Sequence, residues 1–147
     1  MDTDMKTGKL LYEELSYKIR GAFFSVANTY GKGLKEIIYQ KALAEEFEKL
    51  NIPFEREKRI NIYSVKTGKL LGTYLPDFVV DNKIVIEIKA TDFPNKLDIE
   101  QQLSYLKSSN YEIGYLVNFG TPRLYIKRTI YTNDRKNTDK HGFKATD

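Results

Sequence analysis

The chain passes between stretches whose apolar residues recur every three or four positions and stretches where they recur every two. Leu11, Leu15, Ile19, Phe23, Val26 and Tyr30 line one side of a helix predicted over 10–30, which Gly31 and Gly33 end. A second helix is predicted from 34 to 50. Its stripe of Tyr39, Leu43, Phe47 and Leu50 steps by four, four and three, and Asn51 and Pro53 close it. Three strands follow. The first, 54–63, is charged and loosely alternating, as an edge strand is. The second covers 70–80. The third, 84–89, alternates strictly, with Ile84, Ile86 and Ile88 on one face and Val85, Glu87 and Lys89 on the other. Thr67-Gly68 and Asp81-Asn82 mark the turns between them. A third helix opens at Pro94-Asn95 and runs to 109, with Asn95 as N-cap and Asp98 three residues on. The nearly continuous apolar run 113–119 predicts a strand covered on both faces, and 124–130 a half-exposed one.

This order of helix, helix, three strands, helix and two strands predicts an α/β fold, a mixed sheet of about five strands flanked by helices. One domain is expected over 1–131. Residues 132–147 are polar and aperiodic and read as a flexible tail.

Composition narrows the chemistry. Among 147 residues there is no cysteine, which excludes disulfides and thiolate metal sites. The single histidine, His141, lies in the polar tail, so neither a histidine-based triad nor a histidine-rich zinc site is available. The working groups of an enzyme would be carboxylates, lysine and tyrosine, with a hard cation such as Mg²⁺ or Mn²⁺. The net charge of +4 permits a polyanionic partner. No apolar run reaches the length of a membrane span, and the first ten residues lack a signal-peptide core, so a cytoplasmic protein is expected.

One cluster stands out. If the turn after Val80 holds three residues, Val80 pairs with Ile84, and Asp77 then lies opposite Glu87, with Lys89 two residues further on the same face. A two-residue turn would instead set Asp77 against Ile86 and dissolve the cluster, unless a bulge restored it. Two carboxylates that close repel as anions, and a divalent cation between them relieves this. On spacing alone, a Glu and a Lys two apart on a strand are more often a solvated face carrying a weak ion pair. Glu36 sits on the stripe that should face the core, where a carboxylate needs a partner, although a first-turn Glu also favours the helix dipole. Tyr39 on the same stripe reads as a core aromatic. Gln101 and Tyr105 lie one helical step apart on the third helix.

Gly33-x-x-Glu36-x-x-Tyr39 resembles the signature of the GxxExxY protein family. Pro76-Asp77, nine intervening residues, then Glu87-Ile88-Lys89 resembles the PD-(D/E)xK nuclease motif. Gln101-x-x-x-Tyr105 is similar to the QxxxY motif of recombination-type nucleases in that superfamily, and Asn118-Phe119-Gly120 and Ile126-Lys127-Arg128 are similar to the closing segment of the GxxExxY family. The motifs occur in that order over about residues 15–130. The resemblance implies a restriction-endonuclease-like core and a metal-dependent nuclease that hydrolyses phosphodiester bonds, in DNA. It implies that Asp77 and Glu87 hold Mg²⁺ or Mn²⁺, with Glu36 as a further acidic group and Lys89 beside the attacking water. Gln101 and Tyr105, with Tyr39, would place substrate or support the acidic cluster. The same fold can also serve as a non-catalytic nucleic-acid-binding module or a protein-interaction domain, and exposed tyrosines would suit a homodimer.

Overall fold

Two amphipathic helices, α1 (Glu13–Tyr30) and α2 (Glu36–Lys49), bury Ile19, Phe23, Val26, Tyr39, Leu43 and Phe47. This is the apolar stripe read from the sequence, except that its end members Tyr30 and Leu50 are exposed. The computed structural model describes residues 12–138. Leu11, the predicted tail beyond 138 and His141 lie outside the described residues.

Among the described residues seven strands follow the two helices: β1 (Phe54–Arg56), β2 (Ile60–Tyr63), β3 (Leu70–Tyr74), β4 (Phe78–Val80), β5 (Ile84–Lys89), β6 (Ile113–Asn118) and β7 (Tyr125–Ile130). Helix α3 (Lys96–Lys107) lies between β5 and β6, and the Asn95 side chain caps it by accepting from Leu97 N at 2.9 Å. Five strands form one mixed sheet in the order β1-β4-β5-β6-β7. Only β5 and β6 are parallel, as a crossover through α3 requires. Ile84, Ile86 and Ile88 join the core beneath α1 and α2, while Val85 packs with Leu106 of α3 on the other face. The sheet is therefore covered on both sides, and the alternation of β5 divides its residues between two layers.

Two predicted strands are each broken in the middle. The stretch 54–63 becomes β1 and β2, and 70–80 becomes β3 and β4, with β2 and β3 forming a separate two-stranded sheet. Glu57 adopts a positive φ of 52°, and Pro76 has no N–H to give to a ladder. Register survives the break. Arg56 pairs with Phe78 and Ile60 with Tyr74, so residues 57–59 and 75–77 are skipped in equal number. Glu57 N donates to Asp77 O at 3.2 Å within the gap.

The start of the expected tail is ordered. Residues 133–138 form a helical turn. Lys136 Nζ donates to the carbonyls of Ser109 (2.9 Å) and Tyr111 (2.6 Å), and Asn133 N to Glu112 Oε2 (2.8 Å). Such contacts depend on distant backbone, which a local polar pattern does not reveal. Among the described residues no helix is long and apolar enough to cross a membrane.

Candidate active site

The interruption between β3 and β4 frees Asp77 from the ladder. The turn that follows holds three residues, with Asp81 and Asn82 at φ near 50°, and Val80 pairs with Ile84. Of the two registers open to the sequence, this is the one that carries Asp77 and Glu87 toward each other, one step beyond the Phe78–Ile86 pair. Asp77 Oδ2 accepts from Ile88 N at 2.6 Å and Oδ1 from Gln40 Nε2 at 3.3 Å. Arg56 in turn donates to Gln40 Oε1, so α2 and β1 brace the carboxylate together. Burial raises the Asp77 carboxyl above its ordinary range. The Ile88 N–H opposes this, the charge of Glu36 adds to it, and Lys89 also opposes it.

Glu87 is placed differently. Its Oε1 is buried without a hydrogen-bond partner, and so are the Tyr74 hydroxyl and Gln102 Oε1. Burial first, and then the charge of Asp77, push the Glu87 carboxyl up to about 7, against the pull of Tyr74 and Lys89. Burial and the neighbouring Glu87 charge also raise the Tyr74 phenol. The Tyr74 ring stacks on Tyr105 of α3, centroids 4.0 Å apart and planes 6° from parallel. Gln102 Nε2 donates to Tyr115 O at 3.0 Å, its side chain lying over Gly114, where a Cβ would stand 2.7 Å from Gln102 Cδ. The cleft between Tyr74, Glu87, Lys89, Asp98, Gln101 and Tyr105 measures about 10 Å³, close to the space of one water.

Lys89 extends from the end of β5 and meets Asp98 of α3 at 3.8 Å. The chain beyond it is clamped from β6. Asn118 Oδ1 accepts from Thr91 N (3.1 Å) and Gly120 N (2.9 Å), and its amide donates to Thr91 Oγ1 (3.0 Å). Gly120 passes so close that a Cβ would stand 2.6 Å from Ala90 C and Thr91 N. The Asn118-Phe119-Gly120 segment thus fixes the strand end that carries the lysine.

A profile described as the PD-(D/E)XK nuclease superfamily matches residues 13–129. The chain belongs to the PD-(D/E)XK nuclease superfamily. Its fold is also similar to two solved structures. The protein SSO0001 is 16% identical, with 88% of this chain and 85% of that one covered and a TM-score of 0.47. An alkaline exonuclease, LHK-Exo, from Laribacter hongkongensis is 14% identical, with 85% of each chain covered and a TM-score of 0.44. A search of curated proteins finds no significant match.

The fold brings Asp77, Glu87 and Lys89 together, close enough that the charges of Asp77 and Lys89 act on Glu87 and that of Lys89 on Asp77. Glu36 stands apart from them. It is exposed at the first turn of α2 and reaches the cluster through its charge on Asp77. Among the described residues no three carboxylate, histidine or cysteine side chains gather closely enough to hold a metal. Tyr39 is fully buried on the α1/α2 side, stacked on Phe119 at 4.6 Å. Its hydroxyl donates to Gly31 O (2.6 Å) and accepts from Leu34 N (3.2 Å), so it ties down the loop that leads into Glu36. Gln101 is exposed at the rim of the cleft, and Tyr105 lines it. Four residues to which the sequence pattern gave no place in the cluster adjoin it: Gln40, Tyr74, Gln102 and Asp98, the last read only as a helix-cap partner. Gln40 carried a signal, lying one helical step of four from Glu36. Tyr74 and Gln102 carried none that separates them from ordinary core polar residues.

PD-(D/E)XK nucleases generally use divalent metal ions. The residues here fit one. The set offers two hard carboxylates, and an oxygen of Glu87 is buried without a hydrogen bond of ordinary geometry, with the Tyr74 hydroxyl as its neighbour. Mg²⁺ is commonly held by one or two carboxylates, with water and substrate phosphate completing the shell.

Proposed function

We propose that this chain is a nuclease of the GxxExxY branch that hydrolyses phosphodiester bonds in DNA, in the cytoplasm, with Mg²⁺ or Mn²⁺ held by Asp77 and Glu87. The observation that carries this reading is the buried, partnerless Glu87 oxygen beside the Asp77 carboxylate, with Lys89 on the same face. When bound, the ion polarises a phosphate oxygen and lowers the pKa of its water. The chain's own residues do the rest. Asp77 is held in place by Ile88 N and Gln40, so it needs no rearrangement to serve as a ligand. The Lys89 ammonium, steadied by Asp98, orients the attacking water and stabilises charge that develops on the phosphoryl oxygens. Glu36 acts on the pair through its charge. Gln101 and Tyr105 form the rim against which the substrate strand rests.

The experiment is Mn²⁺ titration by calorimetry alongside cleavage assays on single- and double-stranded DNA and RNA. Wild type is expected to bind the ion and cut DNA, and Asp77→Ala to lose both while keeping its circular dichroism spectrum. A purified wild-type chain that neither binds Mn²⁺ nor cuts any substrate refutes the proposal. Metal-independent, salt-sensitive binding without cleavage would instead make it a binding module.

A further inference from the structure

Helix α3 stands between two clefts of opposite charge. Asp98, Gln101, Gln102 and Tyr105 turn toward the acidic pair. Ile99, Glu100, Leu103 and Lys107 turn the other way and, with edge strand β7 and the 133–138 turn, bound a cavity of about 310 Å³. Lys107, Lys127, Arg128 and Arg135 line that cavity against one acid, Glu100. None of these five forms an ion pair among the described residues. Lys107 Nζ and the Arg135 guanidinium both approach the Tyr131 ring, at 5.1 and 4.5 Å from its centroid. Two like charges are thus gathered on one ring with no carboxylate paired to either. The ring's quadrupole offsets part of their repulsion, and an anion would remove it. The wall holds an unspent hydroxyl as well: Thr129 is 8% exposed, and its Oγ1 has no hydrogen-bond partner. Lys136 is committed to backbone carbonyls, which anchors the turn that carries Arg135.

We propose that this cavity binds a backbone phosphate of the nucleic-acid strand whose scissile bond lies at Asp77 and Glu87. The assignment rests on the nuclease reading for the identity of the strand. Guanidinium groups suit phosphate because their fork matches two of its oxygens, and lysines add point charge. The width of a helix, roughly 10 Å, separates the two clefts. At about 3.4 Å per nucleotide along one strand of a duplex, the bound phosphate lies about three or more nucleotides from the cut.

The test is fluorescence anisotropy of a labelled oligonucleotide with the full chain in chelator, over a range of salt. Binding is then read without hydrolysis. Lys127→Gln/Arg128→Gln is expected to weaken binding at least tenfold. It should also flatten the dependence of log K on log salt by about 0.7 to 0.9 for each phosphate that is no longer neutralised. Lys107→Gln, a single change on a different element, is expected to act in the same direction, so a misfolded double variant leaves the question answerable. Both variants should hydrolyse bis(p-nitrophenyl) phosphate at the wild-type rate, since that substrate is too short to reach the cavity. Unchanged affinity and salt slope in both variants overturn the proposal. So does competition in which a nucleoside monophosphate occupies the cavity while oligonucleotide affinity is indifferent to the substitutions. A wild type that never cleaves but loses salt-dependent binding in the variants sinks the nuclease reading and leaves the phosphate site standing.

Discussion

Replacing Glu87 with glutamine removes a carboxyl that the fold holds against its preference. In the unfolded chain the group titrates near its ordinary 4.5, and in the folded chain near 7. Below 4.5 it is protonated in both states and costs nothing. Between those values the unfolded state releases the proton and the folded state retains it, so stability falls as pH rises, and the loss is complete above about 7. A rise from 4.5 to about 7, at about 1.4 kcal/mol per pH unit, amounts to about 3 kcal/mol. Urea denaturation in chelator between pH 4.5 and 8 should show wild type losing stability on that scale, with Asp77, also raised, adding in the same direction. Glu87→Gln should lose the Glu87 share of that slope and be the more stable protein at pH 8. Adding Mg²⁺ at about one hundred times its Kd should return about 2.7 kcal/mol to wild type at pH 8, and much less to the variant. Parallel pH profiles for the two proteins in chelator would refute the reasoning, because they would mean that Glu87 is not held in a desolvated, anion-opposed place.

Lys89→Ala should lower cleavage by about a hundredfold or more, the scale of removing one electrostatic stabiliser. Denaturation midpoints should move little, since its partly exposed pair with Asp98 is worth at most about 1 kcal/mol. Gly120→Ala should destabilise by about 1–3 kcal/mol, because the added methyl meets backbone at Ala90 and Thr91. It should also impair cleavage by shifting the chain just past Lys89, and an unchanged melting temperature would count against the clamp. Tyr39→Phe should cost about 1–2 kcal/mol through the loss of its bond to Gly31 O and of the acceptor for Leu34 N. Metal affinity measured by calorimetry should stay near wild type, since the ring lies on the far side of the sheet from Glu87.

The alternation of Ile84, Ile86 and Ile88 with Val85, Glu87 and Lys89 was legible because the isoleucines are buried beneath α1 and α2 while the other face packs Val85 against α3 and leaves Glu87 and Lys89 partly open. The Asp77–Glu87 approach followed from turn length alone, once three residues rather than two were placed after Val80. The breaks at 57–59 and 75–77 were less legible. Pro76 is a strand breaker in plain sight, but Glu57 at positive φ carries no mark in its residue type. On α3 the QxxxY pattern selects Gln101, which is exposed, whereas the glutamine that packs under Tyr115 is Gln102. Spacing gives the face of a helix only to within one residue, and the missing Cβ of Gly114 decides between the two. Of the two readings open for Glu36, a partnered carboxylate on the core-facing stripe and a first-turn acid that favours the helix dipole, the structure shows the second, with the side chain meeting water.

The equal skip of three residues on each side of the β1/β4 kink has a consequence for how this protein can vary. Beyond the kink, β2 and β3 pair only with each other, so their outer end at 64–69 can grow or shrink by matched rungs without moving Asp77. An unmatched insertion of one residue inside either skipped triplet would instead rotate Tyr74 out from under Tyr105 and turn the hairpin inside out. Length polymorphism among natural variants is therefore expected at the hairpin's tip and should be absent from the triplets.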